Sequence, residues 1–162
     1  MREFHSLESF AIHLAEAAVA VVIAEQKALE RAAILIEKDA KNRIGEYQGS
    51  VGPFQDWAPL ADSTEAEKSR LGYALDAPLL REGDLRDSIE HEVSGSEAII
   101  GSKSDIAAYQ EFGTDKIPPR PFIGPAAFAN KDKIERLIGN AAIEGLTLGE
   151  VIHHSLGYDI DI

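Results

Sequence analysis

Between Ser6 and Ile44 apolar side chains return at intervals of three, four or seven residues: Leu7, Phe10, Leu14, Ala18, Val22, Leu29, Ala33, Ile36, Ala40 and Ile44. Glutamates and lysines occupy much of the other face, so the spacing predicts an amphipathic helix. Ser6 can cap its first turn, and Gly45 can stop it in left-handed geometry. At 1.5 Å per residue such a helix runs on the order of 55 to 60 Å, longer than a domain of this size is wide. It must therefore break, or project and pack against another subunit. The run Ala17–Ala24, AAVAVVIA, lies between Glu16 and Glu25. It is shorter than the roughly 20 residues a membrane span needs, which predicts a buried helix segment. The start, MREFHSLESF, lacks the basic, apolar and small-residue order of a secretory signal.

The chain has 162 residues, 44% of them hydrophobic, enough for one domain with a core, and the expectation is a single domain over 1–162. The helix would take 1–45 and the body 46–162. The absence of cysteine removes disulfides, thiolate metal sites and a cysteine nucleophile. A formal charge of −12 argues against a protein that coats nucleic acid, because phosphate binding is driven by lysine and arginine. Acidity is concentrated in residues 51–114, with 5 basic and 13 acidic side chains. Such a surface favours solubility and can steer docking onto a basic partner.

Glycine and proline interrupt the stretch that follows the helix, which reads as an ordered loop holding the single tryptophan, Trp57. Trp57 is either an anchor to the core or an interface hot spot. A short helix is expected over Ser63–Leu71, capped by Asp62 or Ser63. Ile89, His91 and Val93 alternate with Glu90 and Glu92, and Ala98–Ile100 forms a second apolar run, so a β-hairpin is expected. Ser104 can cap a helix from Asp105 to Phe112 that Gly113 ends.

From Tyr109 to Ala126 the chain reads YQEFGTDKIPPRPFIGPA. Pro118, Pro119 and Pro121 withdraw backbone donors and hold the chain extended, so Ile117–Phe122 is a stiff ribbon or edge strand. Arg120 stands between prolines and can pair with a carboxylate; Glu111 is the candidate, either fastening the ribbon internally or leaving Arg120 for a neighbouring subunit. Tyr109, Phe112, Phe122 and Phe128 are expected to pack the ribbon down. Loss of assembly with the fold retained is the outcome expected of Arg120→Ala. A helix is then expected from Pro125 to about Glu144, stopped by Gly145. Thr147 and Glu150 form a capping box before a short last helix, and Tyr158–Ile162, YDIDI, alternates acidic and apolar residues.

No phosphate loop, H-E-x-x-H or nucleophile elbow occurs. His153 and His154 are adjacent, about 100° apart on a helix, and do not suit one metal. Neither catalytic residues, metal nor cofactor is therefore expected.

The proline segment resembles the "YA..EFGT....PPRPFIGPA"-like signature of the tail-completion and virion-morphogenesis proteins of tailed bacteriophages. Trp57-Ala58-Pro59-Leu60 is similar to the "W.PL" element of that family. Pro78–Ile89 resembles its "PL..TG.L..SI" element, with Glu82 where threonine is usual. Three elements in order cover Trp57 to Phe128. The resemblance implies an α+β fold, a small antiparallel sheet packed by helices, with a long N-terminal helix and a C-terminal helical segment. It also implies a structural role at the head–tail junction or the tail's head-proximal end, through homo-oligomeric rings of hexameric order.

The interface candidates are Trp57, Tyr109, Glu111, Phe112, Pro118, Pro119, Arg120, Pro121 and Phe122. Expected partners are further copies of the chain and connector, neck or tail-tube proteins, with no membrane and no sequence-specific nucleic acid. The expected setting is the bacterial host cytoplasm during assembly, then the virion neck or tail. Two other readings are a small enzyme using Asp84, Asp87, Glu90 or Glu92, and an acidic adaptor outside the particle.

Overall fold

The computed structural model describes residues 5–147. It is α+β: helix α1 (Leu7–Arg43), α2 (Asp62–Leu71), α3 (Asp84–Asp87), strands β1 (Ile89–Ser94) and β2 (Glu97–Ser102), then α4 (Asp105–Phe112), α5 (Ile123–Ala129) and α6 (Lys131–Leu146). The two strands form a two-stranded sheet as a hairpin. The chain divides into two compact units. One takes in the helix to Ala32, the hairpin tip Val93–Ala98 and the chain from Asp132; the other takes Ala33–Glu92 and Ile99–Lys131.

Helix α1 is unbroken over 37 residues. Its start is set as the sequence predicts: Ser6 Oγ accepts the amide of Ser9 at 3.1 Å, and Ser9 Oγ accepts the amide of Ser6 at 3.2 Å. Its end is set by Gly45, whose φ of 104° only glycine adopts cheaply. In the second unit its buried stripe is Ala33, Ile36, Ala40 and Ile44.

In the first unit the expectation of a buried segment fails. Of the Ala17–Ala24 run only Ala17 is buried, while Ile12, Val19, Val22 and Ile23 are exposed. This part of α1 is long and apolar enough, by length and composition, to cross a membrane. Small residues supply the contact it does make. Gly145 of α6 sits against the backbone of Val21, where an added Cβ would clash. Gly145 is therefore not the predicted stop but a buried close-approach position inside α6, which runs on to Leu146.

The predicted helix from Pro125 is in fact two. Helix α5 spans Ile123–Ala129 and is followed by Asn130, whose side-chain amide donates to Ala126 O at 2.8 Å and to Asp39 Oδ2 at 2.7 Å. That tertiary hydrogen bond to α1 holds the break. Helix α2 starts one residue early, with Ala61 in the cap position and no side-chain cap. Ser104 precedes α4 without a side-chain cap bond. Helix α3, unforeseen, is a single turn after Gly83, whose φ is 102°. Ile89, the first residue of β1, is fully buried. Glu150, His153, His154 and the alternating segment Tyr158–Ile162 lie outside the described residues.

Candidate assembly surfaces

The ribbon is built from the end of α4. Gly113 turns the chain at φ 74°, and Thr114 closes a tight turn with Ile117 through amide-to-carbonyl bonds of 2.9 and 3.3 Å. The chain then runs back along α4, with the Arg120 amide donating to Gln110 O at 2.6 Å.

Arg120 and Glu111 are not partners. The guanidinium of Arg120, nearly buried, donates from Nη2 to Pro59 O at 2.9 Å and to Ala58 O at 3.1 Å, and from Nε to Ala58 O at 3.3 Å. The carboxylate of Glu111 instead accepts the amides of Phe122, Ile123 and Gly124, at 2.7, 3.0 and 2.8 Å. These amides open α5, where free N–H groups favour a negative charge. The predicted pair fails because backbone groups, which must be satisfied when buried, take both side chains.

The indole Nε1 of buried Trp57 donates to Pro121 O at 3.0 Å. Trp57-Ala58-Pro59 and Arg120-Pro121 thus clasp each other in both directions. Two of the sequence elements that looked separate are one structural joint. Phe122 is fully buried, and Gly124 lies so close to the ring of Phe54 that a Cβ there would clash. Trp57, Glu111, Arg120, Pro121 and Phe122 are therefore internal fasteners of this unit, whereas Pro118 and Pro119 are exposed.

Tyr109 and Phe112 do not pack the ribbon. With Ile106 they lie three residues apart along α4, all exposed, Phe112 to 81%. Apolar residues at that spacing share a helix face, and this one is uncovered. Helix α1 offers another uncovered set, Ile12, Val19 and Ile23, seven and four residues apart.

The acidic candidates do not converge on a catalytic arrangement. Glu90 and Glu92 are exposed on β1, and Asp87 pairs with Arg86 at 3.2 Å. His91, on the opposite face of β1, pairs through Nδ1 with Glu37 Oε2, while Lys41 Nζ donates to Glu37 Oε1 at 2.5 Å. Hydrogen bonding from Lys41, then from His91, holds the Glu37 carboxyl below its ordinary value of 4.5. Among the described residues no group of three His, Asp or Glu side chains could hold a metal ion.

Sequence reasoning also missed Lys68, which is 2% exposed and donates from Nζ to Ala77 O at 2.5 Å. A lysine in the polar sequence of α2 gives no signal of burial; the contact comes from a loop nine residues on.

The model of the phage virion morphogenesis family matches residues 13–141. No curated protein and no solved structure matches the chain. The matched span contains the Trp57–Arg120 clasp, the Glu111 cap and the glycine turn before α3, and it covers well over half of the 162 residues. The chain belongs to the phage virion morphogenesis family.

Proposed function

We propose that the chain is a non-enzymatic structural component that completes the tail or joins head to tail, assembling as a closed ring with a hexamer as the expected order. Membership of a family that builds virions supports a structural role. The observation that carries the assembly reading is the apolar surface left uncovered on α1 around Ile12, Val19 and Ile23. A helix apolar on several sides is ordinarily covered, by protein or by lipid. The face of α4 formed by Ile106, Tyr109 and Phe112 is a second and different surface. Ring closure needs two unlike surfaces per subunit, one to give and one to receive. Connector, neck or tail-tube proteins would then meet the ring, first in the host cytoplasm and then in the particle.

Light scattering on the purified full chain tests this. A closed oligomer is expected, with Val19→Glu and Phe112→Glu each shifting it toward monomer while circular dichroism is unchanged. A strict monomer at high concentration, or flotation of the chain with lipid vesicles, would overturn it; the second result would mean that α1 is covered by membrane.

A further inference from the structure

A cavity of 680 Å³ opens in the second unit beside the ribbon, between the loops on either side of α2 and the end of α4. Its lining is unusual for so acidic a chain. Lys68, Arg81, Lys116 and Arg120 face Glu82 and Asp84, four cations to two anions, whereas the whole chain has 16 basic and 28 acidic residues. Among the described residues the two buried cations have no carboxylate within ion-pair distance: Lys68 is held by the carbonyl of Ala77, and Arg120 by those of Ala58 and Pro59. Glu82 is engaged by the Tyr73 hydroxyl at 2.7 Å. Gln110 also lines the cleft, and its buried Oε1 has no hydrogen-bond partner among the described residues. Apolar side chains, Leu60, Leu85, Ile106 and Ile117 among them, complete the walls.

We propose that this cleft receives the segment Tyr158–Ile162 of a neighbouring copy. Buried cations held only by carbonyls are completed by carboxylates, and a charge-assisted pair is the strong form of that contact. The segment YDIDI offers carboxylates and apolar side chains together, with Asp159 and Asp161 alternating with Tyr158, Ile160 and Ile162. Its two carboxylates suit the cations, and its apolar residues suit the walls. The assignment to a neighbour rests on the ring reading above, in which each subunit gives one surface and receives another.

The absence of cysteine makes a clean test, since any disulfide reports an introduced pair. Full chains carrying Ile160→Cys are mixed with full chains carrying Ile106→Cys, or Ile117→Cys, and oxidised. A disulfide-linked dimer of the two unlike chains is expected, and Asp159→Asn with Asp161→Asn in the first chain should lower its yield about tenfold or more, since each hydrogen bond to a charged group is worth at least about that factor. No link in either mixture overturns the proposal. If light scattering on that sample still reports a ring, the ring reading stands and only the cleft assignment falls. A link formed only within one chain, in Ile106→Cys with Ile160→Cys, also overturns it, by making the occupant the chain's own segment.

Discussion

Glu111 Oε2 accepts the amide of Phe122 at 2.7 Å, and the same carboxylate closes over the next two amides. One side chain thus fixes where the ribbon ends and α5 begins. Glu111→Gln keeps the shape but loses the charge and one acceptor, and should cost about 1 to 3 kcal/mol by the ordinary worth of a hydrogen bond to a charged group. Urea denaturation with an unchanged slope is the check; a loss below about 0.5 kcal/mol, the level of a neutral surface change, would mean the amides find other partners.

Arg120→Ala should now unfold the joint before it affects assembly. The substitution leaves the part-buried Ala58 and Pro59 carbonyls without their donor, and losing hydrogen bonds from a charged group costs about 1 to 3 kcal/mol. A drop in thermal midpoint of the dissociated chain is expected, with Arg120→Lys intermediate because one ammonium cannot reproduce the planar fork. Unchanged stability with lost oligomers would restore Arg120 as an interface residue.

Gly145→Ala separates propensity from packing. In a helix interior alanine is favoured over glycine by roughly 1 kcal/mol, yet here the added methyl would meet the backbone of Val21. Backbone cannot rotate aside as a side chain can, and overpacking costs about 1 to 3 kcal/mol. Net destabilisation by chemical denaturation is the expected sign, with Gly145→Val worse.

Acid should weaken the second unit through Glu37. Its folded-state value is lowered by Lys41 and His91, so it contributes stability that is fully present above the ordinary 4.5 and is lost as pH falls through the lower folded value. Stability measured from pH 6 down to pH 3 should fall less steeply in Glu37→Gln than in the parent. Parallel curves would show that the pair contributes nothing to folding.

The elements that could be read from sequence are those fixed within a few residues. The helical period of α1, the Ser6 cap, Gly45 and the alternation of Ile89, His91 and Val93 all act over one or two turns and fall as expected, although Leu7, Phe10, Leu14 and Val22 of the apolar stripe are exposed. The break at Asn130 was not legible, because the sequence around it continues a helical pattern and the bond that stops it goes to Asp39, 91 residues away.

The same distinction separates what sequence and structure each determined about function. Sequence alone placed the three elements of the family signature in order and made the proline segment stiff, since proline restricts φ wherever it stands. Only the tertiary structure decided which side chains that ribbon keeps for itself. Trp57 meets Pro121 across 64 residues and Arg120 meets Ala58 across 62, so of the two roles open to each, anchor or interface, the fold selects the anchor. Tyr109 and Phe112, expected to pack the ribbon and also named as interface candidates, are left on the surface. The physical reason is that buried backbone carbonyls and amides must be satisfied. The groups that satisfy them are chosen by proximity in the folded chain, which no local spacing records.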